Sequence, residues 1–328
     1  MNVILGRPSS PKCVGSKKFE RDIIVSNASS SVTILTQTAT NLVFTGSLSN
    51  NNSVLTLQPV YSSNLFEWAG SISGTGSIYK WGFGTLVLSG TNTDWTGGMT
   101  LAGGQAGVSG GGAVILNSPN PLGYGRIVFG DGAGPGAGSI FTSRLVNTYG
   151  PLVSSNNVQY HWRAVLNGTN DVIFAGDVTL DDATRTAMIF ESSETGTVFG
   201  FRGNLTSVSG AACGLAKQGQ GILEWFVTNQ TATFTNIVTI SGGALRTIEG
   251  IGISTNSPLC FNGGVLESRG AFTRTLGSNQ TQAYFLAGGG FSAYGGTLTV
   301  NLKGDGSTLV WGKTNFTTRE LQFNSARA

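Results

Sequence analysis

The chain has 328 residues, 50 of them glycine, and carries 19 basic and 16 acidic side chains for a net charge of +3. Charged residues make up 11%, against about 25% in an ordinary soluble domain; an apolar fraction of 39% and an aromatic fraction of 9% set the chain apart from disordered sequences, which are poor in both. Glycine has no period of three, which excludes collagen, and lysine and arginine are spread too thinly for a nucleic-acid surface.

The start, "MNVILGRPSSPKC", has an apolar run far too short for a secretory signal, so an export signal is expected outside this chain, removed from it, or of an unusual kind. "GSKKFERD", Gly15 to Asp22, is the one dense charge run and reads as part of an N-terminal cap or extension over residues 1–25. From 26 to 328 the chain reads as a single continuous β domain. "NLVFTGSL", "SVLTLQP", "TLVLSG", "GAVILNSPNPLG", "GRIVFGDG", "DVIFAGDVTL", "GTVFGFRGNLT", "GGVLESRG" and "TLTVNL" are short apolar runs fenced by Gly, Asn and Ser. Such runs are strands between tight corners, and no stretch holds an amphipathic helical period. No apolar run reaches the roughly 18 residues of a membrane-spanning helix, and the ending "FNSARA" lacks the aromatic terminal strand of a membrane barrel.

Clean alternation and hairpin turns, the marks of an antiparallel sandwich, are missing, and a parallel β-helix fits better. Each coil is too short to hold a core alone, and stacking closes it. Strands on successive coils lie about 4.8 Å apart, which disfavours charges at equivalent positions and favours ladders of Asn, Ser, Thr, Val, Ile and Leu. At about 20 to 25 residues per coil the chain would form roughly 13 to 16 coils, a rod about 60 to 75 Å long at that spacing.

Repeat-like units stand near 79–104, 215–246 and 297–312. The first, "KWGFGTLVLSGTNTDWTGGMTLAGG", resembles the autotransporter-associated β-strand repeat, also called the passenger-associated transport repeat. Lys80, Gly82, Gly84, Leu86, Leu88, Gly90, Asn92, Trp95, Gly97, Gly98 and Leu101 carry the likeness. The second keeps Lys217, Gly219, Gly221 and Leu223 but places Glu224 and Trp225 where small residues are usual. The third, "TLTVNLKGDGSTLVWG", is weaker. The C-terminal third, from "GGVLESRG", is similar to a block of large surface proteins that carry these repeats. The resemblance implies a right-handed, single-stranded parallel β-helix exposed at a bacterial surface, a scaffold unit without catalytic residues.

Chemistry-bearing residues are few. In "GDVTLDDATR" Asp177, Asp181, Asp182 and Arg185 form the densest cluster; consecutive residues of a strand face opposite ways, so a corner in which Asp accepts backbone hydrogen bonds fits them better than a calcium or catalytic site. His161, the only histidine, has no acid or nucleophile near it in sequence and reads as structural. "GDGAGPGAG" from Gly130 lacks the Lys-Ser/Thr ending of a phosphate loop and reads as a long loop. Trp81, Trp225 and Trp311 read as coil-filling core rather than sugar platforms. Cys13, Cys213 and Cys260 are widely spaced, without a metal or redox pattern, and read as unpaired, with a bridge between Cys213 and Cys260 left open. No catalytic, cofactor-binding or metal-ligating residue is expected.

The expectation is a non-enzymatic, extracellular or cell-surface structural β-solenoid, a stalk or adhesin-like module. Its expected partners are a host or matrix surface, another copy of itself and a carbohydrate. Beside it stand two alternatives: a filament or surface-layer subunit built by head-to-tail pairing across an open C-terminal coil, and a polysaccharide lyase or hydrolase on the same scaffold.

Overall fold

The computed structural model describes residues 3–5, 12–13, 16–26, 31–36, 41–51, 53–102, 112–130, 142–181, 187–207, 214–228, 236–305, 307–312, 316 and 320–323. The protein is all-β, with parallel strands stacked as a β-solenoid of about 10 turns. Contacts divide it into two compact units, Met1–Asn170 and Asp171–Ala328.

In the first unit three parallel ladders form the walls. One stacks Val3–Leu5, Ile23–Val25, Leu48–Asn50, Ile72–Gly74 and Asp94–Trp95. A second runs from Lys12–Cys13 through Val32–Thr36, Val54–Pro59, Ser77–Lys80, Met99–Leu101 and Ile127–Phe129 to Val158–Tyr160. A third runs from Lys17–Phe19 through Asn41–Phe44, Leu65–Trp68, Thr85–Leu88, Ala113–Leu116 and Ser143–Asn147 to Arg163–Asn167. Paired residues lie 20 positions apart where Leu65 meets Thr85 and 31 apart where Ile127 meets Val158. This variation is why there are fewer turns than a uniform short coil predicts.

Alternation decides what fills the coil. Val32, Ile34 and Thr36 are buried while Thr33 and Leu35 are half-buried. In-register side chains then stack on like neighbours: Phe44 is paired with Phe19 on one side and Trp68 on the other, with ring centroids 4.9 and 4.6 Å apart and planes within 10°. The corner after this ladder has no room for side chains. A Cβ on Gly70 would lie 2.0 Å from the Gly46 carbonyl oxygen, and one on Gly90 would lie 2.0 Å from that of Gly70. Ser118 ends the series by donating its hydroxyl to the Gly90 carbonyl at 2.7 Å.

The first ladder stops at Asp94–Trp95 for a covalent reason. The next coil reads Ser118-Pro-Asn-Pro-Leu-Gly-Tyr-Gly125. Pro119 and Pro121 have no N–H to give a ladder, and the segment forms turns instead.

In the second unit one wall stacks Val172–Phe174, Val198–Phe201, Ile222–Trp225, Ala244–Arg246, Val265–Thr273 and Gly289–Asn301. Another stacks Ala187–Ser192, Gly214–Gln218, Val238–Ser241, Leu259–Phe261 and Gln282–Phe285. In the first of these walls Val172–Phe174, Val198–Phe201, Ile222–Trp225 and Ala244–Arg246 are buried on both faces, as are the opening four residues of the last two strands. Phe201 and Trp225 point inward onto Phe190, at 5.3 and 4.9 Å, while Ile173, Val198, Ile222 and Ala244 make a separate apolar cluster.

Candidate functional site

Among the residues singled out in the sequence, Asp177, Lys80, Asn92, Trp95 and Lys217 bind backbone groups. Asp177 Oδ1 accepts from the Asn204 main-chain N–H at 3.0 Å and from its side-chain amide at 3.1 Å, the corner role expected of it. Asp181 follows Val178–Leu180 and is half-buried; Asp182 and Arg185 lie outside the described residues. His161 is half-buried, and its main-chain N–H donates to the Phe129 carbonyl at 2.9 Å. The glycine-rich stretch after Gly130, Cys213 and the side chain of Cys13 also lie outside the described residues, and Cys260 is buried and unbridged. Trp225 fills the core and Trp81 is half-buried against Tyr79. Trp311 corrects the sequence reading: it is 51% exposed, beside Val310, itself 51% exposed, because it follows the last long strand instead of sitting within a coil.

The repeat signature resolves into one device. Ser77–Lys80 alternates, so Lys80 faces inward with Ile78, in register with Leu57 and Leu101. Its side chain is 1% exposed and turns back to donate from Nζ to the Gly82 carbonyl at 2.7 Å. Gly82 has φ +92°, a conformation that glycine adopts at little cost, and this aims its carbonyl at the ammonium. The second copy repeats the geometry. Lys217 Nζ donates to the carbonyls of Gln218, Gly219 and Gly242 at 2.7, 2.8 and 3.1 Å, and Gly219 has φ +77°. Because Gly242 belongs to the following coil, Lys217 ties two coils together. In the third copy Lys303 again donates to a carbonyl, that of Thr308 at 2.8 Å, but in solvent.

The remaining signature positions close the coil. Asn92 is fully buried; its Oδ1 accepts from the Ile72 N–H at 2.8 Å and its Nδ2 donates to the Pro121 carbonyl at 2.7 Å, so one amide joins three coils. Trp95 donates from Nε1 to the Gly76 carbonyl at 3.0 Å. A Cβ on Gly97 would lie 1.9 Å from that same oxygen.

Burial pushes the Lys80 and Lys217 amines from the usual 10.5 down to about 7, since an apolar surrounding disfavours the charged form. The sign follows: from about pH 7 upward the unfolded chain binds protons that the folded chain has released, so stability rises with pH. Between pH 7 and 9 the gain is about 2 kcal/mol per lysine. Above that window Cys260, and Tyr284 at about 12, are raised by burial and act with the opposite sign. Urea midpoints measured from pH 7 to 9 are therefore expected to climb in the native chain and to stay flat in the Lys80→Met/Lys217→Met variant. A flat native profile would mean that the carbonyls keep both amines charged.

Glu224, which departs from the repeat, belongs to a second cluster with Arg202, Arg246 and Glu267. Glu224, Arg246 and Glu267 occupy one register position on three successive coils. Arg202 Nε reaches Glu224 Oε1 at 2.7 Å, Arg246 Nη1 lies 3.7 Å from Glu224 Oε2, and Arg246 Nε donates to Glu267 Oε2 at 2.7 Å. The Tyr294 ring covers the Arg246 guanidinium at 3.8 Å. Stacking does not exclude charge here, because the signs alternate. Arg274, buried, plays a related role where a loop, 247–258, replaces a wall strand: it binds Glu249 at 2.8 and 3.0 Å and the Ser254 carbonyl at 2.9 Å.

Among the described residues two concavities stand out. At the last coil Phe291, Leu298, Val300, Leu309, Phe316 and Phe323 help line an apolar cavity of about 450 Å³. In the first unit Thr93, Pro119, Asn120, Tyr124 and Ser155 help line a smaller cavity of about 220 Å³. Among the described residues no group of three or more His, Cys, Asp or Glu is placed to hold a metal ion. Comparison of the chain with protein-family models, with curated proteins and with solved structures returned no match.

Proposed function

We propose that the chain is a non-enzymatic structural module, a stiff β-solenoid that spaces or displays other elements at the outer surface of a bacterial cell. One observation carries this reading. The buried ionisable side chains Lys80, Lys217, Glu224, Arg246, Glu267 and Arg274 bind backbone carbonyls or one another. Among the described residues, neither the cavity at the last coil nor the one beside Tyr124 has any of them in its lining. A hydrolase or lyase needs the reverse arrangement, with acids or bases aimed into a cleft where substrate sits. The low charge and the likeness to the passenger-associated repeat support the surface placement.

Two measurements test the reading. Protease applied to intact cells of the organism that makes the protein is expected to remove it from an immunoblot while a cytoplasmic control survives. The purified chain, incubated with neutral and acidic polysaccharides with and without calcium, is expected to release no reducing or unsaturated ends. A protected chain overturns the surface placement, and product formation overturns the structural role.

A further inference from the structure

The place where the first ladder breaks leaves a groove between coils, and its lining has a definite chemistry. Thr93 comes from one coil, Pro119, Asn120 and Tyr124 from the next, and Ser155 from the one after. The prolines prevent a strand from filling the gap, and the cavity that results measures about 220 Å³. That is below the roughly 300–1,000 Å³ of drug-sized sites and matches a single small ring.

Tyr124 is 55% exposed, a flat apolar face with a hydroxyl at its edge. The backbone beneath it is held firmly. Its N–H donates to the Trp95 carbonyl at 2.9 Å, the Asn120 carbonyl accepts from the Asn92 N–H at 2.9 Å, and the Gly123 carbonyl accepts from the buried Asn156 amide at 3.2 Å. Gly123 has φ +58°, and a Cβ there would lie 2.4 Å from the Trp95 carbonyl oxygen. A platform fixed in this way loses little freedom when a ligand settles on it.

The lining side chains offer hydroxyls and a carboxamide, which both donate and accept, and none is charged. This excludes recognition of a phosphate, a sulfate or an organic cation by ion pairing. An aromatic face beside neutral donors and acceptors, with room for one ring, complements a pyranose: the ring's C–H face lies on the aromatic and its hydroxyls meet the polar rim. We propose that this groove binds one neutral hexose unit of a saccharide, with Tyr124 as the stacking platform and Asn120, Thr93 and Ser155 as its hydrogen-bonding partners. The proposal does not depend on where the protein resides or on whether it has turnover.

Affinity electrophoresis through gels containing β-1,3-glucan, xyloglucan, galactomannan or starch tests it, with alginate and polygalacturonate as acidic controls. The native chain is expected to be retarded in at least one neutral gel. Tyr124→Ala is expected to abolish the retardation, Tyr124→Phe to keep it, and Asn120→Ala to weaken it at least tenfold. The three variants are expected to unfold at the native temperature, because all of these side chains reach solvent. Retardation in no neutral gel, retardation unchanged in Tyr124→Ala, or retardation in the acidic gels alone would each overturn the proposal.

Discussion

An Arg246→Met variant is expected to lose about 3–5 kcal/mol of unfolding free energy, the usual cost of removing one partner from a buried ion network. The arginine side chain is 6% exposed and stands between Glu224 and Glu267, which are 3% and 2% exposed. Without it Glu267 keeps a buried charge with no cation, and Glu224 retains only Arg202, whose side chain is 42% exposed. Methionine fills similar volume, so a cavity is not the cause. The decisive control is Arg246→Met combined with Glu224→Leu and Glu267→Leu, which removes the charges together and is expected to recover most of the loss. Denaturant midpoints of the two variants, compared at equal slope, check this. If the triple variant is as weak as the single one, packing under Tyr294 matters more than charge.

Gly70→Ala is expected to be more severe still, above about 4 kcal/mol, in the range reserved for gross steric or polar disruption. The added methyl would sit 2.0 Å from the Gly46 carbonyl oxygen and 2.5 Å from its carbon. Both are backbone atoms, so no rotamer relieves the clash, and the coils must separate. Gly288→Ala is the matched control, since its nearest neighbour, the Glu320 carbonyl oxygen, lies 3.4 Å away. Thermal unfolding of the two variants is expected to show a large fall for Gly70→Ala and little change for Gly288→Ala. Similar midpoints would mean that the corner opens easily.

These two cases mark what was legible in the sequence. The coil corners were, because glycine and asparagine at coil spacing have few other uses, and Thr-Gly, Ala-Gly and Ser-Gly at residues 45–46, 69–70 and 89–90 recur at the coil interval. The strands were legible as short apolar runs between corners, but their inward faces were not: the sequence reads without clean alternation, whereas in Val54–Pro59 Leu55, Leu57 and Pro59 are buried and Thr56 and Gln58 half-buried between them. The lysine of the repeat was visible as a pattern but not as a contact. Nothing local says that its amine returns to the carbonyl two residues on, because that depends on Lys80 being buried and on the left-handed turn at Gly82. The charge ladder escaped for a different reason. Glu224 stood out only as a departure from the repeat; its two cations lie 22 residues before and 22 after it, and Glu267 is reached only through the second of them. Testing opposite charges at the coil spacing would have found Arg246 and Glu267. The groove at Tyr124 had a readable cause, two prolines where a strand was due, but its depth depends on three coils and is a property of the stack alone.

The alternating ladder also constrains how such a chain can grow. Solenoids lengthen by duplication of whole coils, and a corner of stacked glycines accepts an extra coil because each layer is chemically the same as the next. The wall that carries Glu224, Arg246 and Glu267 has a parity. Duplicating one of these coils sets carboxylate on carboxylate or guanidinium on guanidinium across about 4.8 Å, whereas duplicating two in tandem restores the alternation. Insertions and losses in this part of the chain should therefore come in even numbers of coils, while those around Gly46, Gly70 and Gly90 are free to come singly.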